Sequence, residues 1–117
     1  MAQQPTKEQQ KILAGFKKLR EEQQGLIGDI QRYAGEIRET QNVLKTIDKW
    51  ENNEGRKFYY RTVDALLEMD NKTIIERLTN NVNELEQKLK KADEDLKTKG
   101  SELQEYTQKH QIKIVAQ

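Results

Sequence analysis

The chain has 117 residues, of which 33% are hydrophobic and 35% are charged. That hydrophobic share is low for a compact domain, so the chain is either disordered or built from long helices that bury a narrow stripe. The net charge of +1 and the absence of cysteine argue against a basic nucleic-acid-binding surface, a disulfide and a thiolate metal site. We also expect no secretory signal and no transmembrane segment, because no sufficiently long apolar run is present.

The first half of the chain carries a heptad pattern that predicts a long helix over residues 8–50. Apolar side chains recur at alternating steps of four and three residues, and nine of eleven such positions are apolar. This is the spacing of a coiled-coil seam. The positions are Ile12, Phe16, Leu19, Gln23, Leu26, Ile30, Tyr33, Ile37, Thr40, Leu44 and Ile47.

The middle of the chain, residues 56–70, is predicted to form a short β-hairpin. Residues 52–55 (NNEG) have the composition of a loop, and residues 58–63 (FYYRTV) are the aromatic and β-branched types that favour strands. Residues 65–69 (ALLEM) are compatible with a second strand or a short helix. A period of two places Tyr59, Val63, Ala65, Leu67 and Met69 on one face. Because an isolated hairpin is marginally stable, the sequence indicates that this one has a partner.

A second heptad run predicts another long helix over residues 72–111. Asp70, Asn71 and Thr73 are candidate N-caps, and the segment from Thr73 to Glu76 has capping-box spacing. Nine of the eleven seam positions are again apolar. They are Ile75, Leu78, Val82, Leu85, Leu89, Ala92, Leu96, Lys99, Leu103, Tyr106 and His110.

Two seams of equal length predict that the helices pair with each other in an antiparallel coiled coil. Folding the chain back sets Ile47 opposite Ile75 and brings the polar positions Gln23 and Lys99 to the same level. A register shifted by one heptad stays open. Five glycines interrupt the helical patterns, and they serve either close approach of neighbouring side chains or pliability of the helices. They are Gly15, Gly25, Gly28, Gly35 and Gly100.

Three segments resemble the β class of the prefoldin family. They are residues 15–26 (GFKKLREEQQGL), residues 56–61 (RKFYYR), and residues 99–106 (KGSELQEY) followed by residues 109–114 (KHQIKI). With the order helix, hairpin, helix, the resemblance covers nearly the whole chain. The sequence departs from the family at Val63-Asp64-Ala65, where prefoldins usually have a glycine-rich turn, and this leaves the turn type open.

The resemblance implies a subunit of a hexameric, ATP-independent chaperone located in the cytoplasm. In that family, two α-type and four β-type subunits join their hairpins into β-barrels, and the coiled coils extend from this body. Their tips hold unfolded clients such as actin and tubulin, which pass to the cytosolic chaperonin. The implied partners are therefore other prefoldin subunits, unfolded clients and the chaperonin, without nucleic acid, membrane or cofactor.

The hairpin supplies the candidate residues for subunit assembly. Its apolar side chains and strand edges need partners, although they also have the alternative of packing only on the ends of this chain's own helices. The candidates are Phe58, Tyr60, Thr62, Val63, Leu66 and Leu67.

The two helix ends that lie far from the hairpin supply the candidate tip for client binding. Several apolar residues there lie off the seam or beyond its last apolar position, and exposed apolar groups suit client binding, while packing of the helix ends is the alternative. The candidates are Ile12, Leu13, Phe16, Leu103, Tyr106, Ile112, Ile114 and Val115.

An enzyme is the function class that the sequence favours least. The chain has neither a phosphate-binding glycine loop nor a recognisable pair of nucleophile and base, so we predict no catalytic and no metal-binding residues. The alternative to a chaperone subunit is a structural or tethering coiled-coil adaptor. The aromatic hairpin between two matched helices favours the chaperone.

Overall fold

The computed structural model describes residues 6–49, 57–61 and 65–112 of the chain. These form, in order, α1 (Lys7–Lys49), β1 (Phe58–Arg61), β2 (Leu66–Met69) and α2 (Asn71–Lys109). The predicted fold class, two long helices in an antiparallel coiled coil joined by a short β-hairpin, is confirmed. Each helix boundary lies within two residues of the expected ranges 8–50 and 72–111.

A reciprocal capping box starts α1. The backbone N–H of Gln9 donates to Thr6 Oγ1 at 3.1 Å, and the N–H of Thr6 donates to Gln9 Oε1 at 2.9 Å. These two N–H groups have no acceptor within the helix, so the capping box supplies an acceptor for each of them.

Of the N-cap candidates for α2, Asp70 fills the role. Its Oδ1 accepts a hydrogen bond from the Thr73 N–H at 2.8 Å, so the helix begins at Asn71, before the predicted box at Thr73. At the other end, Gln111 has a φ of 53°, and the N–H groups of Gln111 and Ile112 donate to the carbonyls of Gln108 and Thr107. This is a Schellman motif, with glutamine at the position that glycine usually occupies.

The predicted seam is the part of both helices that is removed from solvent. All eleven α1 seam positions are half-buried or buried, and so are ten of the eleven on α2. The exception is Ile75, which is 36% exposed while its neighbour Ile74 is 5% exposed. Assigning Ile75 to the seam was wrong, because Ile74 lines a groove with Ile47, Phe58 and Tyr60 and so faces the hairpin.

The contacts divide the described chain into two segments. In the terminal segment (residues 6–31 and 90–112), Lys99 contacts Glu22, and the Tyr106 hydroxyl donates to the carbonyl oxygen of Ile12 at 2.8 Å. The contacts of Lys99 with Glu22 and of Tyr106 with Gly15 match the predicted register and not one displaced by a heptad. The buried residues of this segment are Ala92 and Leu103.

The hairpin segment comprises residues 32–49, 57–61 and 65–89. Its buried residues are Ile47, Ile74 and Val82. β1 and β2 pair in antiparallel fashion from Phe58 with Met69 to Arg61 with Leu66, so the connection spans residues 62–65. Residues 62–64 lie outside the described residues, and with them the question of the turn type.

The glycines separate into two kinds. At Gly15 a Cβ would collide with the hydroxyl of Tyr106, so the absence of a side chain permits a close approach. At Gly25 and Gly28 a Cβ would meet no atom within 4 Å. Close approach therefore explains Gly15 and not these two, whose presence weakens α1 without a packing requirement.

Candidate assembly face and client-binding tip

The register of the hairpin gives it two chemically different faces. Paired residues of antiparallel strands share a face, so Phe58 and Tyr60 lie on the same side as Met69 and Leu67. The opposite side carries Tyr59, Arg61, Leu66 and Glu68. We call these the inner face and the outer face.

The inner face is attached to the helices by Tyr60. Asn81 of α2 donates through Nδ2 to the Tyr60 hydroxyl oxygen at 2.8 Å. The guanidinium carbon of Arg77 lies 5.1 Å from the centre of the same ring, within the range of a cation–π contact. Phe58 is half-buried and lines the groove with Ile47 and Ile74. Tyr60 and Phe58 therefore have contacts within their own chain.

The outer face is exposed in the isolated chain. Tyr59 is 60% exposed and Leu66 is 63% exposed. An ion pair of 3.3 Å between Lys57 Nζ and Glu68 Oε1 lies at the Lys57 end of β1, and both side chains are largely open to solvent. Two large apolar side chains on a four-residue strand pair form a surface that water solvates poorly.

The predicted face of the hairpin was wrong. Tyr59 was expected beside Leu67 and Met69, but the pairing places it beside Glu68 on the outer face. Of the predicted assembly residues, Leu66 lies on the outer face and Leu67 is 43% exposed on the inner face. Thr62 and Val63 lie outside the described residues. Tyr59, which the sequence did not single out for assembly, is the aromatic residue of the outer face.

The sheet has only two strands among the described residues. Each strand therefore has one edge that no other strand of the described chain pairs with. Such an edge is a template for a further strand, and the outer face between the two edges is apolar. Edge and face together can accept strands from another chain.

The structure brings most of the predicted tip residues together at the ends of the two helices. Leu103 is 7% exposed, and Phe16, Ile12 and Tyr106 are half-buried. The Tyr106 hydroxyl donates a hydrogen bond to the Ile12 carbonyl oxygen, and the Tyr106 ring lies over Gly15. Leu103 and Tyr106 therefore stabilise the helix pair.

Leu13 is the exposed apolar residue of the described tip, with 51% of its surface open to solvent. Ile112 is half-buried at the position after the left-handed residue of the Schellman motif, where an apolar side chain commonly packs back on the helix. Ile114 and Val115 lie outside the described residues.

A charged residue, Lys99, interrupts the apolar seam of the terminal segment. Lys99 Nζ lies 2.5 Å from Glu22 Oε2 and 3.1 Å from Glu102 Oε2. Hydrogen bonding to Lys99 lowers the pKa of the Glu22 carboxyl, and hydrogen bonds to Glu22 and Glu102 raise the pKa of the Lys99 ammonium. The sequence predicted Gln23 as the polar neighbour of Lys99, whereas the charge is neutralised by Glu22 from the adjacent position.

Within residues 6–49, 57–61 and 65–112, no group of three or more His, Asp or Glu side chains is placed to hold a metal ion. Neither α1 nor α2, the helices of these residues, contains a stretch that is both long and apolar enough to cross a membrane.

Sequence reasoning missed the residues that fix the hairpin on α2. Asn81 and Arg77 flank the α2 seam, where polar residues are ordinary, and nothing in their spacing points to Tyr60.

Comparison with known proteins identifies relatives over nearly the whole chain. The family model described as prefoldin subunit matches residues 10–117. The chain is 31% identical to prefoldin subunit 2 of Homo sapiens over 108 residues, which cover 92% of this chain and 69% of that relative. It is 29% identical to the probable prefoldin subunit 2 of Dictyostelium discoideum, over 91% of this chain and 90% of the relative. The probable prefoldin subunit 2 of Drosophila melanogaster is also 29% identical, over 94% and 76%.

Proposed function

Because the chain belongs to the prefoldin subunit family, we propose that it is a β-type subunit of a hexameric, ATP-independent holdase in the cytoplasm. In this proposal the subunit joins other α-type and β-type subunits through its hairpin. It contributes one of the tips that capture unfolded proteins such as actin and tubulin and deliver them to the cytosolic chaperonin. It carries out no catalysis and needs no cofactor.

The outer face of the hairpin is the observation that carries the proposal. Tyr59 and Leu66 are more than half exposed, although they lie on a two-stranded sheet that is too small to be stable by itself. Burial of both side chains against strands of neighbouring subunits removes this apolar surface from water and pairs the strand edges. A coiled-coil adaptor needs neither feature.

Native mass spectrometry of the tagged chain, purified gently from its own cells, tests the assembly. We expect a six-subunit complex of small chains. A free monomer, or a stable pair with one large partner, would replace the proposal with the adaptor function.

A variant pair then tests the interface. Tyr59→Asp with Leu66→Asp is expected to release the subunit from the complex while far-ultraviolet circular dichroism shows that the helices persist. The matched control is Asn83→Asp with Gln87→Asp, which adds the same charge at exposed positions of α2. If the outer-face variant stays in the complex, the interface lies elsewhere on the chain.

Client capture is tested at the tip. Leu13→Ser removes the exposed apolar side chain, and Ala14→Ser at the adjacent exposed position is its control. A second variant changes Ile112, Ile114 and Val115 to Ser. Each tip variant is expected to suppress client aggregation less well than the control, at unchanged helix content. To prevent other tips from masking the loss, the assay is run at limiting chaperone. Equal suppression of aggregation by all variants would show that the tip of this subunit does not bind clients.

A further inference from the structure

The two flanks of the seam differ in chemistry within the terminal segment. On one flank, the charged residues that line shallow grooves between α1 and α2 are mostly carboxylates. They are Glu22, Asp29, Asp95, Glu102 and Glu105, together with Lys99 and Lys109. Lys18 belongs to this flank, because it lies one helical turn before Glu22 and its charge helps to lower the pKa of that carboxyl. We call this the acidic flank.

The opposite flank of α1 is apolar and basic. Leu13, Arg20 and Ile27 are spaced by seven residues, so they follow the other side of the seam as one row. Leu13 is 51% exposed and Ile27 is 38% exposed. Lys17, which is exposed, lies between Leu13 and Arg20 at helical spacing. We call this row the basic flank.

The same side of α2 adds a further cation and a small residue. Lys97 lies one helical turn from Gly100, and its side chain is 79% exposed. Gly100 lies between Asp93 and Thr107 in the α2 row that is spaced by seven residues, and it carries no side chain that would cover the neighbouring surface. The Lys97 charge is partly offset by Asp93 at 3.6 Å.

We propose that the basic flank of the terminal segment is a client-binding surface selective for extended, unfolded segments that combine apolar and acidic residues. The inference rests on the proposed holdase function and states which client chemistry that function favours. Leu13 and Ile27 supply apolar contacts, and Lys17 and Arg20 between them supply positive charge. Charge complementarity selects the occupant, because basic segments are repelled here.

The dimensions of the row suit an extended chain. Leu13 and Ile27 are fourteen positions apart on one helix, which corresponds to ~21 Å along its axis. An extended strand of about six residues spans that distance. The row is therefore long enough to bind a short unfolded segment beside the tip, and several subunits together gain affinity through multivalency.

Paired charge reversals test the inference in the assembled complex. Lys17→Glu with Arg20→Glu reverses the basic flank, and Lys11→Glu with Lys18→Glu makes the same change in net charge on the other side of the same helix. Lys17→Gln with Arg20→Gln is a milder version. Native mass spectrometry and circular dichroism of each complex verify assembly and helix content before binding is measured.

The probes are fluorescent peptides of equal length with the same apolar residues, interspersed with aspartate, with serine or with lysine. We expect the wild-type complex to bind the aspartate peptide best and the lysine peptide least. The basic-flank reversal is expected to weaken binding of the aspartate peptide about fivefold, as the loss of two exposed charge contacts implies. The other reversal should change it less than twofold.

Two results would overturn the inference. One is a wild-type complex that binds the three peptides equally, and the other is an equal loss from the two reversals. Failure of the proposed function gives a different result, because a wild-type complex that binds no peptide and suppresses no aggregation is not a holdase. A complex that suppresses aggregation but binds the three peptides equally would still be a holdase, and the basic flank would not be a selective client-binding surface.

Discussion

The hairpin segment and the terminal segment each have a seam between α1 and α2, but different interactions stabilise the two seams. In the hairpin segment the seam is closed by branched side chains, Ile47, Ile74 and Val82, and by Tyr60 from the sheet. In the terminal segment it contains the charged Lys99, and Tyr106 reaches across Gly15 to the backbone. Apolar burial thus dominates in the segment that is proposed to assemble, and polar contacts contribute more in the segment where clients are proposed to bind.

The two segments therefore differ in what their side chains lose when the helices separate. A buried branched side chain loses its packing when the helices separate, whereas the charged groups of Lys99 and Glu22 regain their hydration. We therefore expect the terminal segment to open more readily than the hairpin segment. Hydrogen exchange of amides in the two segments measures this directly, and equal protection would contradict the comparison.

Truncation of Ile47 is expected to have the largest effect. Ile47→Ala removes a side chain that is 2% exposed and should lower the free energy of unfolding by about 2 to 5 kcal/mol. Val43→Ala is the control in the same helix, because Val43 is 48% exposed and its loss should change stability by less than about 0.5 kcal/mol. Urea unfolding at fixed protein concentration measures both. A large loss from Val43→Ala would mean that another chain covers this side chain.

Removal of the Tyr60 hydroxyl is expected to have the next largest effect on stability. Tyr60→Phe keeps the ring beside Arg77 but leaves the Asn81 amide without its acceptor, so we expect a loss of about 1 kcal/mol. Tyr59→Phe removes a hydroxyl from the exposed outer face and serves as the matched control. Equal unfolding midpoints for the two variants would show that the Asn81 contact contributes nothing to the hairpin segment.

The seam could be predicted from the sequence because heptad spacing depends only on local helix geometry. The failure at Ile75 has a physical reason, since the first turn of α2 packs against the hairpin as well as against α1. A heptad assigned from the helices alone contains no information about that third element.

The faces of the hairpin could not be predicted because they depend on the connection between its strands. With four residues between Arg61 and Leu66, residues of opposite parity pair, and Tyr60 meets Leu67. The sequence-based assignment continued the two-residue period of a strand through the connection. It therefore placed Tyr59 and Leu67 on one face, which is wrong. The exposed aromatic residue of the candidate assembly site was therefore missed, whereas exposed Leu13 at the tip was found from its position off the seam.

Substitutions at the glycines of α1 have effects of similar size, and the sign of each effect distinguishes packing from pliability. Gly28→Ala should stabilise the protein by roughly 1 kcal/mol, because alanine favours the helix and its Cβ meets open space. Gly15→Ala has the same helical gain but forces Tyr106 away and breaks its hydrogen bond to Ile12, so we expect no net gain or a loss. Thermal unfolding monitored by circular dichroism compares them. A gain of equal size at both positions would show that Tyr106 moves without loss.

The smallest effects concern pH, and both segments contain a responsive carboxylate. Hydrogen bonding to the Thr73 side chain and backbone lowers the pKa of Asp70, and hydrogen bonding to Lys99 lowers the pKa of Glu22. A carboxyl with a lowered pKa stabilises the folded state above its unfolded pKa, and the contribution is lost as the pH falls through the folded value. The raised pKa of Lys99 contributes stability that is fully present below the unfolded pKa of this group and is lost only as the pH rises through the folded value, so Lys99 adds no pH dependence between neutral and acid conditions.

Two isosteric variants separate these carboxylates. Asparagine is as good an N-cap as aspartate, so Asp70→Asn should keep α2 capped while removing the part of the acid sensitivity that arises from Asp70. Glu22→Gln leaves Lys99 with only Glu102 and should lower stability at neutral pH, where the wild-type pair is charged. Urea midpoints at neutral pH and below the ordinary carboxyl pKa of about 4 measure both changes. The expected pattern is a flatter pH dependence for each variant, with a loss at neutral pH for Glu22→Gln alone. If Asp70→Asn retains the full acid sensitivity of the wild type, the Asp70 carboxylate is not its source.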